Sequence, residues 1–144
     1  MPAMSNYLEN AVIDQLLRGQ PYSPPANLYI ALFTAAPTAG GGGTEVSGGG
    51  YARAAVPSSL ASWAGTQGAG TTVASSGTSG QTSNNAQISF PTPTAAWGTV
   101  VAMGIFDAAS GGNLLFFGNL TQSQVVGQGN PVYYAPAQLS LTLS

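Results

Sequence analysis

Val100-Val-Ala-Met-Gly-Ile-Phe-Asp-Ala-Ala-Ser-Gly-Gly-Asn-Leu-Leu-Phe-Phe117 is two apolar runs joined by a turn-forming segment. Residues 100–106 and 113–117 have the composition of strands, and Asp107-Ala-Ala-Ser-Gly-Gly112 between them reads as a loop, so the stretch predicts a β-hairpin. Upstream, Leu28-Tyr-Ile-Ala-Leu-Phe33 is apolar on both faces and rich in strand formers, as expected of a central strand covered on both sides. Residues 51–56, the alternating Ile88 and Phe90, residues 132–134 and Leu139-Ser-Leu-Thr-Leu143 add further short strands. Gly clusters at 40–43 and 48–50 bracket Thr44-Glu-Val-Ser47, and Pro91 and Pro93 end the strand at Phe90. Short strands between Gly and Pro turns predict an all-β fold, a β-sandwich built as a single domain from residues 1–144.

Two segments depart from this pattern. A short N-terminal helix is expected over residues 6–18, with Asn6 as its cap and Glu9 completing a capping box. Leu8, Val12 and Leu16 make an apolar stripe that Ile13 and Leu17 widen, and Gly19 and Pro21 end the helix. Asp14 and Arg18 stand at i and i+4 in the favourable order for an ion pair. A helix this short is marginal alone, so it must dock on its own sheet or on a neighbour. Residues 65–85 are the second departure: 14 of the 21 are Gly, Ser or Thr, and Val73 is the one large apolar side chain. That composition predicts a long polar loop, mobile in the isolated protein unless it orders against a neighbouring subunit. Met1-Pro-Ala3 reads as an extension from start-codon choice or a short disordered lead.

The chain has two Arg, no Lys, four carboxylates, no His and no Cys, and its charged fraction is 4%, against about 25% in ordinary domains. Thiol and imidazole chemistry, zinc sites and disulfides lack their atoms. Ser and Thr abound, but no His or Lys is present to activate a hydroxyl nucleophile, and the Gly clusters lack the Lys-Ser/Thr ending of a phosphate loop. Each charge also has a structural use: Glu9 at the helix start, Asp14 with Arg18, Glu45 with Arg53 across a Gly-rich turn, and Asp107 bonding the backbone of its own turn. An enzyme is not expected, nor any cofactor. Two Arg cannot displace counterions from phosphates, which excludes nucleic acid as a partner. The start shows no export signal and no apolar run is long enough to span a bilayer, so no membrane association is expected and synthesis in the cytoplasm is. A surface covered by Gly, Ala, Ser, Thr, Asn and Gln rather than mixed charge suits a protein that lives inside an assembly.

Ser5-Asn-Tyr-Leu-Glu-Asn10, Pro24-Pro-Ala-Asn-Leu-Tyr-Ile-Ala-Leu-Phe-Thr34 and Gly43-Thr-Glu-Val-Ser-Gly-Gly-Gly-Tyr-Ala-Arg53 resemble a family of short virion proteins of tailed bacteriophages. The segments from Trp97 to Asp107 and Gly111-Gly-Asn-Leu-Leu115 continue the likeness, which covers nearly the whole chain outside residues 62–86. Members are usually labelled tail fibre proteins. The resemblance implies a phage structural protein located in the virion, and it carries no catalytic residues.

Several positions in a virion suit such a chain. With no internal repeat and no heptads it is not a fibre shaft. Compact size and a helical N-terminal arm favour a capsid decoration (cement) protein that binds the outer shell as a homo-oligomer, touching other copies of itself and the major capsid protein. The alternative is a tail fibre, tail-tip or adaptor component that contacts tail proteins. A reading of another class is a carbohydrate-binding module, in which Trp63, Trp97, Tyr133 and Tyr134 stack on sugar rings; against it, Trp and Tyr in a chain this poor in large apolar residues are expected in the core or a subunit interface.

Overall fold

A computed structural model describes residues 2–143. In chain order its elements are β1 (Ala3–Met4), α1 (Asn6–Leu17), β2 (Asn27–Ala35), β3 (Thr44–Glu45), β4 (Ala54–Pro57), β5 (Gln81–Ser83), β6 (Ile88–Ser89), β7 (Gly98–Phe106), β8 (Leu114–Val126), β9 (Tyr133–Tyr134) and β10 (Ser140–Thr142). The chain is all-β with one short N-terminal helix among the described residues. The hairpin expected from residues 100–117 is β7–β8, and it forms the middle of a six-stranded sheet in the order β1-β8-β7-β2-β3, with β4 pairing the first half of β2. All pairs are antiparallel. β2 is the interior strand its two-sided apolar run predicts, with Ile30, Ala31, Leu32 and Phe33 all at most 3% exposed.

The main core lies on one face of this sheet. Ile30, Leu32, Val100, Met103 and Ile105 point into a cluster that Ile88, Phe90, Leu139 and Leu141 close from the opposite side. That opposite layer consists of two two-stranded ribbons, β5–β10 and β6–β9, rather than a second full sheet. The reason is visible in the composition: beyond Val56 the apolar residues of this layer come in twos and threes, bounded by Pro91, Pro93, Pro131 and Pro136. Ala31, Phe33 and Ala102 face the other way and pack with Val101 and Phe106. Gly104 leaves room there, since a Cβ would come within 2.9 Å of Leu114 and 3.0 Å of Phe33.

A bulge reconciles the two faces. Val100 pairs with Gln124 but Ala102 pairs with Asn119, so residues 120–123 of β8 stand opposite Val101 alone. The irregularity breaks the period of two, which lets Val100 share a face with Met103 and Ile105 while Ala102 turns away. It also pushes the far half of β8 outward, with Thr121, Gln122, Ser123, Gln124 and Val125 exposed.

Three expectations at the ends and in the loops need correction. Ala3 is not a free lead; it pairs with Phe117 as part of β1. The helix is capped by Ser5 rather than Asn6: the Ser5 Oγ accepts from the Leu8 N–H at 3.2 Å and donates to the Leu114 carbonyl, a double use that fixes the helix start to β8. Asn6 already lies in the first turn, so Asn6 and Glu9 form no capping box, and the helix stops at Leu17 with Arg18 as its C-cap. Its stripe docks only at the N-terminal end, where Leu8 is buried; Leu16 and Leu17 are 75% and 81% exposed.

The third correction concerns residues 65–85. Gln81–Ser83 is β5, paired with β10, and Asn84 is 1% exposed. Residues 65–79 close on themselves through hydroxyl and amide side chains. Thr71 Oγ1 accepts from the Gly65 N–H at 2.9 Å, Thr66 Oγ1 from Gly77 N–H at 3.0 Å, and Ser79 Oγ donates to the Thr66 carbonyl at 2.7 Å. Gln67 adds both ends of its amide, to Ala74 and Ser76. Side chains here satisfy the backbone groups that a neighbouring strand would otherwise take.

Candidate functional site

Glu45 ends β3 and Arg53 precedes β4, and pairing of both strands with β2 brings the two side chains together. The guanidinium meets the carboxylate as a fork, Nε to Oε2 at 2.9 Å and Nη2 to Oε1 at 2.8 Å. Its Nη1 donates to the Ala108 and Gly111 carbonyls of the β7–β8 loop, and its carbon lies 3.7 Å from the centre of the Phe106 ring. Tyr51 donates to Glu45 at 2.7 Å and accepts from the Leu32 N–H at 3.0 Å. Burial pushes the Glu45 carboxyl up, but the hydrogen bonds from Arg53 and Tyr51 outweigh it and hold the group below its ordinary range. Burial and the bond to Glu45 push the Tyr51 phenol up. The Glu45–Arg53 pair expected from the sequence therefore exists, and it ties β2, β3, β4 and the hairpin loop into one knot. A depression of about 550 Å³ lies beside it, walled by the 40–43 glycines. With the Arg53 side chain only 6% exposed and its fork occupied, the arrangement is a structural tie.

The remaining charges are simpler. Asp14 and Arg18 pair at 2.7 Å on the exposed side of α1, where such a pair contributes little. Asp107 does not bond the backbone two residues on. Its carboxylate reaches across the loop to the Asn113 N–H at 2.7 Å and the Asn113 amide at 2.9 Å, closing the hairpin.

The four aromatic residues separate into two groups. Trp97 is 5% exposed, donates from its indole to the Gly49 carbonyl at 2.8 Å and meets Tyr51 edge-on with ring centres 5.3 Å apart. Gly49 is required at that contact, because its φ is +57° and a Cβ would sit 2.9 Å from the Trp97 ring. Trp63 packs against the main core, with its indole nitrogen buried. Trp97 is thus a core residue, while Trp63 is partly buried against the core and lies outside the groove described next. Tyr133 and Tyr134 are placed differently: they line a groove of about 970 Å³ between the bulged half of β8 and β9. Tyr133 is 52% exposed. Tyr134 is half-buried against Phe90, and burial pushes its phenol up to about 12.

Two features escape a reading of the sequence. Asn84 spends its whole amide inside the protein, donating to the Ala86 and Ala135 carbonyls at 2.8 and 3.0 Å and accepting from the Leu139 N–H at 2.9 Å. It locks the turn between β9 and β10, where Ala137 adopts a left-handed φ of 66°. The groove residues Gln122, Gln124, Asn130 and Gln138 are the other. Neither carries a local signal, since both depend on residues far apart in the chain.

No helix among the described residues is long and apolar enough to cross a membrane. None of the curated proteins compared matches the chain. One family model does, over residues 3–142, and its members are described as podophage GP4 fiber I protein gp80. That span covers the sheet, both ribbons, the helix and the groove. A fibre-family structural protein is not expected to be an enzyme, and its place is the virion. With all of its described elements inside the matched span, the chain belongs to the podophage GP4 fiber I protein gp80 family, a family of short tailed-phage virion proteins.

Proposed function

We propose that this protein is a non-enzymatic subunit of the tail fibre apparatus, acting as a compact tip or adaptor that contacts further copies of itself and neighbouring tail proteins. The carrying observation is the fibre-family match over residues 3–142. It favours the tail over the shell decoration that compact size and the helical N-terminal arm suggested. The fold supports a tip or adaptor rather than a shaft, because its strands close into one short domain with no repeat. Its surface supports life in an assembly: Leu16, Leu17 and Val125 are 75%, 81% and 77% exposed, and few charges oppose close approach of a neighbour. Contacts built from such surfaces rest on apolar burial and backbone hydrogen bonds.

Copy number tests the assignment. Quantitative mass spectrometry of purified virions is expected to give a multiple of three or six in the low tens, as symmetric tail structures require. Hundreds of copies per particle would instead mean a shell decoration protein and would overturn the tail reading.

A further inference from the structure

We propose that the groove between the bulged half of β8 and β9 binds a neutral oligosaccharide. The inference goes beyond the fibre assignment and holds whether the protein stands on the tail or on the shell. The groove's volume, about 970 Å³, is at the upper end for small-ligand sites, so it suits a ligand of several sugar rings better than a monosaccharide.

Its walls state what the ligand is made of. The chain has two Arg and four carboxylates, and none of them lines the groove. Arg18 and Arg53 are each committed to an ion pair elsewhere. A sialylated, uronate-bearing or phosphorylated ligand would find no counter-charge, whereas a neutral one loses nothing by that absence. Gln122, Gln124 and Asn130 supply amides that both donate and accept, matching hydroxyl groups that do the same, and Gln138, whose Oε1 already accepts from the Ala135 N–H at 3.0 Å, adds its amide N–H donors. Tyr133, 52% exposed, offers a ring with an apolar face and a polar edge, the surface against which the C–H face of a pyranose packs. Tyr134, packed against Phe90 with its hydroxyl buried, forms part of the groove's apolar wall. The shape argues against the other evident occupant, an added β-strand: that mode needs a straight edge, and β8 is bulged over residues 120–123.

The full-length protein is to be screened on an array of neutral oligosaccharides built from glucose, galactose, N-acetylglucosamine and rhamnose, beside their sialylated and uronate-bearing counterparts. Hits are then titrated as free oligosaccharides by NMR. Binding of a neutral member is expected, with no gain from added acidic groups. Tyr133→Ala should weaken it about tenfold and Gln122→Ala by a smaller factor, both with unchanged thermal unfolding. Tyr7→Ala, an exposed aromatic on α1, should leave it unchanged. No binding by any neutral member up to about 1 mM, equal binding by Tyr133→Ala, or a preference for acidic members overturns the proposal. A photo-crosslinker at position 122 that captures a neighbouring virion protein in intact particles does so too, since protein then fills the groove.

Discussion

In β2 and β7, Ile30, Val100, Met103 and Ile105 are each at most 2% exposed, whereas Val73, between Gly65 and Asn85, is 64% exposed. The two regions are held together by different means. The sheet removes apolar surface from water, an interaction without direction that tolerates little loss of volume. The 65–79 loop removes almost none and depends on Thr66, Gln67, Thr71 and Ser79 bonding its own backbone. Each such bond contributes about 1 kcal/mol net, roughly what it costs to fix one residue's backbone. The loop makes fewer such bonds than it has residues, so it contributes no net stability of its own, and the domain's stability resides in the sheet and the ribbons that cover it.

Ile105→Ala probes the sheet side of that contrast most strongly. Ile105 is fully buried at the centre of the main cluster, and the substitution is expected to cost about 3 kcal/mol, measured by denaturant unfolding. A loss under about 1 kcal/mol would mean that the core is loosely packed and the contrast overstated.

Glu45 gives the next largest effect, because the tie among β2, β3, β4 and the hairpin loop is electrostatic. Its folded-state carboxyl lies below the ordinary value, so the stabilisation is present above the unfolded carboxyl's pKa and fades as pH falls through the folded one. Stability should decline as pH drops from about 5 toward 3, and Glu45→Gln should flatten that decline. At neutral pH the substitution should cost about 2 kcal/mol, less than for a fully buried pair, since 25% of the Glu45 side chain remains exposed. A pH profile unchanged by Glu45→Gln would place the acid-sensitive groups elsewhere.

The smallest effect belongs to the loop. Replacing residues 67–77 by a Gly-Ser turn that keeps β5 and Asn84 should change unfolding stability by less than about 1 kcal/mol, as closure depends weakly on length. Failure of this variant to fold would show that the loop's hydrogen bonds are part of the domain's cooperative unit and would erase the distinction.

What the sequence made legible follows the same division. β2 and the β7–β8 hairpin are long apolar runs with clear turns, so their burial could be read directly from residues 28–33 and 100–117. The Asp14–Arg18 and Glu45–Arg53 pairs were legible because a chain with so few charges offers few partners. β5 was hidden because Gln81-Thr-Ser83 is a strand only by virtue of pairing with β10. Ser5 and Asn6 are both good caps by residue type, and only the position of Leu114 distinguishes the two. Of the aromatic candidates, Tyr133 and Tyr134 reach the groove and the tryptophans do not. That division depends on how β9 meets the bulge in β8, a non-local geometry with no signature in either segment.

The burial of Arg53 has a bearing on survival outside a cell. A protease that cuts after basic residues needs to seat such a side chain in its own pocket, and this chain has two Arg and no Lys to offer. Arg53 is held in a fork with its side chain 6% exposed, which leaves Arg18, at the end of α1 and 69% exposed, as the accessible handle. A cut there would leave the helix attached to the sheet through the β1–β8 pairing, the Ser5 bond to Leu114 and the burial of Leu8 alone. The near absence of basic residues thus leaves a trypsin-like enzyme one accessible place to begin, at the C-terminal end of α1.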